Sequence, residues 1–218
     1  MILHAVGGLC NRLRAILSRP RPLTVRWDRD EYVDFSGFED VFQPLEGVTF
    51  CEGGAFDEEA WAPPAGASAD WNPALLELRL RPHVEADLLS ILEGGPYAAV
   101  HIRRTDHTPL AASAGIVNPD VGFERFVAAL PPTMDVYVAT DNRETQRHWI
   151  RALDGRAIIA RTVVRESFAV QRADDHRRHT SLTHAAIDLF ACVGAASFMG
   201  SNYSTFTETI EDLRRLRA

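Results

Sequence analysis

From Pro96 onward the chain repeats one pattern: a short apolar run, a turn, a segment with helical spacing, then another apolar run. PYAAVHI, MDVYVAT, RAIIA and ASFMG are the apolar runs. The helical segments are Gly122 to Leu130, Arg143 to Leu153, Leu182 to Val193 and Thr205 to Leu216. Strands that alternate with helices imply a mostly parallel sheet covered on both faces. The fold class is therefore α/β. In such folds ligands gather at the C-terminal ends of the strands, so those ends are where functional residues are expected.

The first part of the chain is less regular. Ile2 to Val6 is a strand candidate, GG follows, and CNRLRAIL has helical character before SRPRP stops it. LTVRW reads as a second strand. Cys51 to Asn72 is rich in Gly, Pro and Ala and reads as a long loop; LLELRLRP reads as a strand. Pro82 suits the first turn of a helix that runs to Leu92. The shift in composition at Gly94-Gly95 divides the chain into an N-terminal lobe, residues 1–93, and a C-terminal lobe, residues 94–218.

Composition narrows the chemistry. The net charge of −7 gives no reason to expect nucleic acid or an anionic membrane as partner. All 23 basic residues are arginine. Schiff-base chemistry and lysine-type phosphate loops are thereby excluded, and an anion must be held by arginine, backbone amides or hydroxyls. Cys10, Cys51 and Cys192 are too scattered for a zinc site or a disulfide framework, which points to a reducing, cytoplasmic setting. MILHAVGG lacks a signal-peptide pattern, and no run reaches membrane-spanning length.

Four stretches gather polar chemistry at element ends. VHIRRTDHT leaves the first strand of the regular half; strand alternation sends His101 and Arg103 to one face and Ile102 and Arg104 to the other. One arginine can then face a ligand while the other braces the fold. Alternatively, Arg103 or Arg104 pairs with Asp106 in a plain salt-bridged loop. MGSNYSTFTET places Ser201, Ser204 and Thr205 at a helix start, where unpaired amides and the helix dipole favour phosphate; simple capping by Ser204 is the other reading. GGLCNRLRA is a glycine turn into a helix but neither a Walker loop nor a dinucleotide fingerprint, and Arg14 there reads as a solvated charge. In the last of the four, Leu182, Ala185, Ala186, Leu189, Phe190 and Val193 form an apolar stripe. Asp188 lies off it beside His184, as either a solvated or a functional carboxylate. His176, His179 and His184 flank an exposed-looking DDHRRH segment rather than a metal site, and there is no GxSxG elbow.

Taken together, HIRRTD, VYVATDN, DLFACVGAASFMGSNYSTFTE and GGLCNRLRA resemble, in order and spacing, the motifs of the fucosyltransferase superfamily. That superfamily includes the α1,6-, α1,2-, nodulation and protein O-fucosyltransferases. The resemblance implies two Rossmann-like lobes of GT-B type, here with a reduced N-terminal lobe, and inverting transfer from GDP-fucose without a metal or other cofactor. It implies that Arg103 contacts the donor β-phosphate and that His101 lies beside the nucleotide. Asp188 would accept hydrogen bonds from guanine, and Ser204 and Thr205 would hold the pyrophosphate. Asn11 and Arg12 would close the site from the other lobe, and Asp141 would lie near the donor. Asp106 is the candidate base for the acceptor hydroxyl, on an acceptor that the sequence does not identify. A non-catalytic GDP-sugar-binding relative is the rival expectation.

Overall fold

The computed structural model describes residues 1–30, 33, 35–63, 69–104, 113, 115, 120–160 and 181–218. Two four-stranded sheets organise them. The first contains β1 (Ile2–Ala5), β2 (Leu23–Arg26), β3 (Val48–Cys51) and β4 (Glu58–Ala60) in the order β3-β2-β1-β4. The second contains β5 (Tyr97–Ile102), β6 (Asp135–Thr140), β7 (Ala157–Ile158) and β8 (Ser197–Gly200) in the order β7-β6-β5-β8. Every pairing within both sheets is parallel. Around them lie α1 (Leu9–Leu17), α2 (Phe38–Val41), α3 (Pro82–Ile91), α4 (Asp120–Ala128), α5 (Arg143–Ala152), α6 (Leu182–Gly194) and α7 (Thr205–Arg217).

The second sheet follows the alternation that the sequence announces. All six residues of β5 are buried, as expected for a central parallel strand covered on both faces. One face packs on Phe123, Trp149 and Leu153. The other packs on α6, and through it the core runs without a break from Leu3 and Leu13 of the first sheet's layer to Leu189 and Leu213. Helix α6 is buried beyond its predicted stripe: Ile187, Ala191 and Cys192 are also enclosed. A helix apolar nearly all round belongs between two layers, and this one lies between the two sheets.

The first sheet is built differently. Burial alternates along β1 and β2, so one face is core and the other is not. On that second face Glu59, His4, Arg26 and Cys51 lie in register across β4, β1, β2 and β3. The His4 ring sits 3.1 Å from Glu59 and 3.0 Å from Asp28, and Arg26 grips Asp28 through Nε at 2.9 Å. The Arg26 hydrogen bond is the main cause that lowers the Asp28 carboxyl to about 2. A parallel sheet normally buries both faces; here a polar web takes the place of the apolar residues that a helix layer would cover.

Two expectations are corrected. LLELRLRP is not a strand: a 3-10 helix covers Ala69–Glu77, and only Leu80 makes a single bridge, to Phe42. Leu75 and Leu78 are buried three residues apart, the period of a 3-10 turn, which short apolar spacing does not separate from strand alternation. The stretch from Cys51 is not all loop, because Glu58–Ala60 forms edge strand β4; its sequence is acidic and has no apolar signal, and its place is fixed by pairing with β1. The elements α2 and β3 also form where no element was expected. No helix among the described residues is long and apolar enough to cross a membrane.

Candidate active site

The residues singled out in the sequence meet where β5, β6 and β8 end. Arg103 and Arg104 follow β5, Asp141 follows β6, and Ser201 follows β8. Because the strands are parallel, these exits lie along one edge. The backbone N–H of Arg103 donates to Ser201 Oγ at 3.0 Å, which ties two strand ends together. Asp141, almost buried, is the hub: Oδ2 lies 3.2 Å from Arg103 Nε, and Oδ1 accepts the Arg104 backbone N–H at 3.0 Å. The Arg104 side chain instead reaches Asp120 at the start of α4. Among the described residues the two arginine side chains thus reach different carboxylates, Asp141 and Asp120. Asp106 lies outside the described residues, as do His176 and His179.

Helix α7 delivers its first turn to the same edge. Ser204 is its N-cap and accepts from the Thr207 N–H at 3.5 Å. Capping and a phosphate site are compatible, because one side-chain oxygen satisfies only one of the amides left unpaired in a first turn. Gly200 permits this close approach: a Cβ there would stand 2.3 Å from Thr207 Cγ2. His101 is buried, with Nδ1 2.9 Å from Thr207 Oγ1 and its ring stacked on Phe206 at 4.6 Å. It joins the end of β5 to the first turn of α7.

The other sheet's layer reaches the site through the GG turn. Gly7 has φ +84°, a left-handed conformation that glycine adopts without steric cost, and a Cβ there would stand 3.0 Å from Asn11 Nδ2. Asn11 Oδ1 accepts from Thr205 Oγ1 at 2.8 Å, so the first turns of α1 and α7 touch. One turn further along each helix, Arg14 pairs with Glu208. Arg14 is therefore an ion-pair partner across the two layers rather than a solvated charge.

Arg12 departs from expectation. It has 0% exposure, so it presents no surface to a ligand. Nε donates to Gly7 O at 2.8 Å, Nη1 to Asp28 O at 2.8 Å and Nη2 to Asp30, while the guanidinium stacks 4.8 Å from the Trp27 ring. Burial lowers its pKa, against the charge of Asp30, which raises it. Arg12 shapes the turn that carries Asn11, and the sequence could not separate this from a cleft-facing role because both want arginine after a glycine turn.

Asp188 is partly exposed on α6. Its Oδ1 accepts from the Tyr137 hydroxyl at 2.7 Å. Desolvation raises the carboxyl to about 7; the Tyr137 hydrogen bond opposes the rise and the Asp141 charge adds to it. Tyr137 carries no polar signal in the sequence, since a tyrosine in MDVYVAT reads as an ordinary strand residue. Among the described residues no three His, Cys, Asp or Glu side chains converge in a way that could hold a metal ion.

No protein-family model and no curated protein matches the sequence. The fold does match solved structures. The chain is similar to the fucosyltransferase NodZ from Bradyrhizobium, with a TM-score of 0.64 and 14% identity over 96% of this chain and 92% of that one. NodZ α-1,6-fucosyltransferase soaked with GDP-fucose gives 0.63 and 14%, covering 97% and 91%. POFUT1 in complex with GDP gives 0.62 and 14%, covering 98% and 95%. With two parallel α/β layers in the same arrangement along nearly the whole chain, this protein has the two-lobe fold of these fucosyltransferases.

Proposed function

We propose that the protein is a glycosyltransferase that uses GDP-fucose as donor and acts by inversion without a metal ion. The observation that carries this reading is the convergence of Arg103, held by Asp141, with the first turn of α7 at one sheet edge. Breaking the sugar–phosphate bond leaves negative charge on the departing nucleotide and positive character on the sugar. An arginine fork and helix amides preorganised at that edge stabilise the leaving diphosphate more than the ground state, and this differential is what accelerates the bond-breaking step. Ser204 and Thr205 set the helix start that receives the phosphates. Asn11 positions Thr205 from the other layer. Asp188 reads the guanine edge. Asp106 is proposed as the base that takes the acceptor hydroxyl's proton. The residues divide between N-terminal, acceptor-side residues 1–93 and donor-binding residues 94–218. None of the three cysteines forms a disulfide among the described residues, in keeping with the cytoplasmic setting proposed.

The test is release of GDP from GDP-fucose in excess EDTA. Slow release that requires Arg103 and persists in the chelator supports the proposal. Loss on chelation with recovery on adding Mn²⁺ or Mg²⁺ contradicts it. The polar face of the first sheet, where an apolar face and helix layer would be usual, favours a second reading as a GDP-sugar binder without transfer. Tight binding with no GDP release would select that reading.

A further inference from the structure

The Asp188 carboxylate is half engaged. Tyr137 is its one hydrogen-bond donor among the described residues, through Oδ1. Oδ2 accepts from no described residue, and the Asp188 residue keeps part of its surface exposed. Among the described residues, no arginine is paired with this carboxylate. Asp141 brings negative charge from the end of β6, Cys192 is a buried thiol one turn on along α6, and Tyr97 on β5 spends its hydroxyl on Ala191 O at 2.7 Å. His184 lies one turn before Asp188 on α6. The arginine in the neighbourhood, Arg214, donates to the carbonyls at the end of α6: Val193 O at 3.0 Å and Cys192 O at 3.2 Å. A buried phenol is thus what holds this acid in place, and its own pKa is pushed well above the ordinary value by burial and by Asp188.

We propose that Tyr137 is the positioning residue for base selection: its hydroxyl fixes Asp188 through Oδ1 and leaves Oδ2 turned outward to accept from the adjacent N1–H and N2–H of a guanine. The inference rests on the donor reading above and deepens it. A fixed carboxylate suits guanine alone among the common bases: uracil flanks its N–H with two carbonyls, and adenine offers an acceptor where guanine offers a donor. The ionised acid accepts both hydrogens more strongly than the neutral acid, which brings an O–H donor of its own and only weaker acceptors. Near neutral pH Asp188 is divided between its two forms, so guanine selection should carry its titration. Binding draws on the ionised form, so selectivity rises with pH and levels off once Asp188 is fully ionised. Removing the phenolic donor withdraws a hydrogen bond that favours the anion, and the rise then moves to higher pH.

The experiment is calorimetric measurement of the dissociation constants of GDP and UDP from pH 5.5 to 8.5, for the wild type and Tyr137→Phe. Both ligands carry the same diphosphate, whose own ionisation falls in this range, so the ratio of the two constants isolates the base. In the wild type the ratio should climb through about pH 7 and level off. In Tyr137→Phe the climb should shift upward by about one pH unit, and the ratio at pH 7 should drop about fivefold, as the ionised fraction of Asp188 falls from about a half to about a tenth. A ratio and pH profile identical in the variant and the wild type would overturn the inference. So would a wild-type ratio that is large yet flat with pH, a result that needs no variant to fold. A ratio near one at every pH would instead overturn the guanine reading beneath it.

Discussion

Arg103 and Arg104 offer a comparison in which charge and sequence position are nearly constant and only placement differs. The Arg103 side chain is 12% exposed, and its Nε lies 3.2 Å from a carboxylate that is 7% exposed. Lysine can meet either Asp141 or a phosphate with one ammonium, but it cannot hold one with Nε and address the other with the planar fork. If charge builds on the departing diphosphate, the loss falls on turnover. Arg103→Lys should reduce turnover by about 10²–10³-fold, or ~2.7–4 kcal/mol in the barrier. GDP affinity should fall about tenfold or less, because the ground state carries less of that interaction. Arg104 pairs with Asp120, which is 58% exposed. A pair so open to water contributes at most about 1 kcal/mol, so Arg104→Lys should lower the melting temperature by only ~2–4 °C and leave turnover nearly intact. Turnover, GDP binding and melting are measured on both variants. Normal turnover in Arg103→Lys, or a larger turnover loss in Arg104→Lys than in Arg103→Lys, would refute the assignment of the two side chains.

Other substitutions test the frame around the site. Gly200→Ala places a methyl 2.3 Å from Thr207 Cγ2 and 2.9 Å from Phe198 Cζ, so it should cost about 1–3 kcal/mol, read as a lowered denaturation midpoint. Arg12→Met removes the guanidinium that binds Asp30 and the carbonyls of Gly7 and Asp28; a loss of about 3 kcal/mol is expected by urea unfolding. The third concerns pH. Burial raises Asp188 to about 7 from an ordinary value of 3.8, so the folded state holds this proton more tightly than the unfolded state. The stabilisation is full below the unfolded value and is lost as pH rises through about 7. Unfolding midpoints should therefore decline from pH 5 to pH 8 in the wild type more than in Asp188→Asn. Parallel profiles would show that Asp188 is ionised throughout.

What the sequence made legible follows from how much of each signal is local. The second sheet was readable because each strand is an apolar run, buried throughout in β5 and nearly so in β6, and each helix has its own cap or periodicity: Asn142 caps α5, Ser181 caps α6 and Ser204 caps α7. Strand β4 was not, because EEA has no apolar signal and exists through its pairing with β1. The motif residues could be placed at strand ends, but their partners could not. That Arg103 rests on Asp141 and Arg104 on Asp120 depends on distances across the chain that no spacing rule contains. Arg12 and Tyr137 illustrate the same gap in opposite directions. An arginine beside a glycine turn suggested a ligand and is buried in a structural network, whereas a tyrosine in an apolar strand suggested only core and holds the carboxylate of α6.

The central claim is that the edge formed by Arg103, Asp141 and the first turn of α7 holds a guanosine diphosphate. The most direct measurement is a thermal-shift panel of GDP, UDP, CDP and ADP at equal concentration in the presence of EDTA. At about 100 times its dissociation constant a ligand adds ~2.7 kcal/mol, so GDP should raise the melting temperature by roughly 5–10 °C and the other nucleotides by clearly less. Equal shifts for all four, or no shift with any of them, would contradict the account.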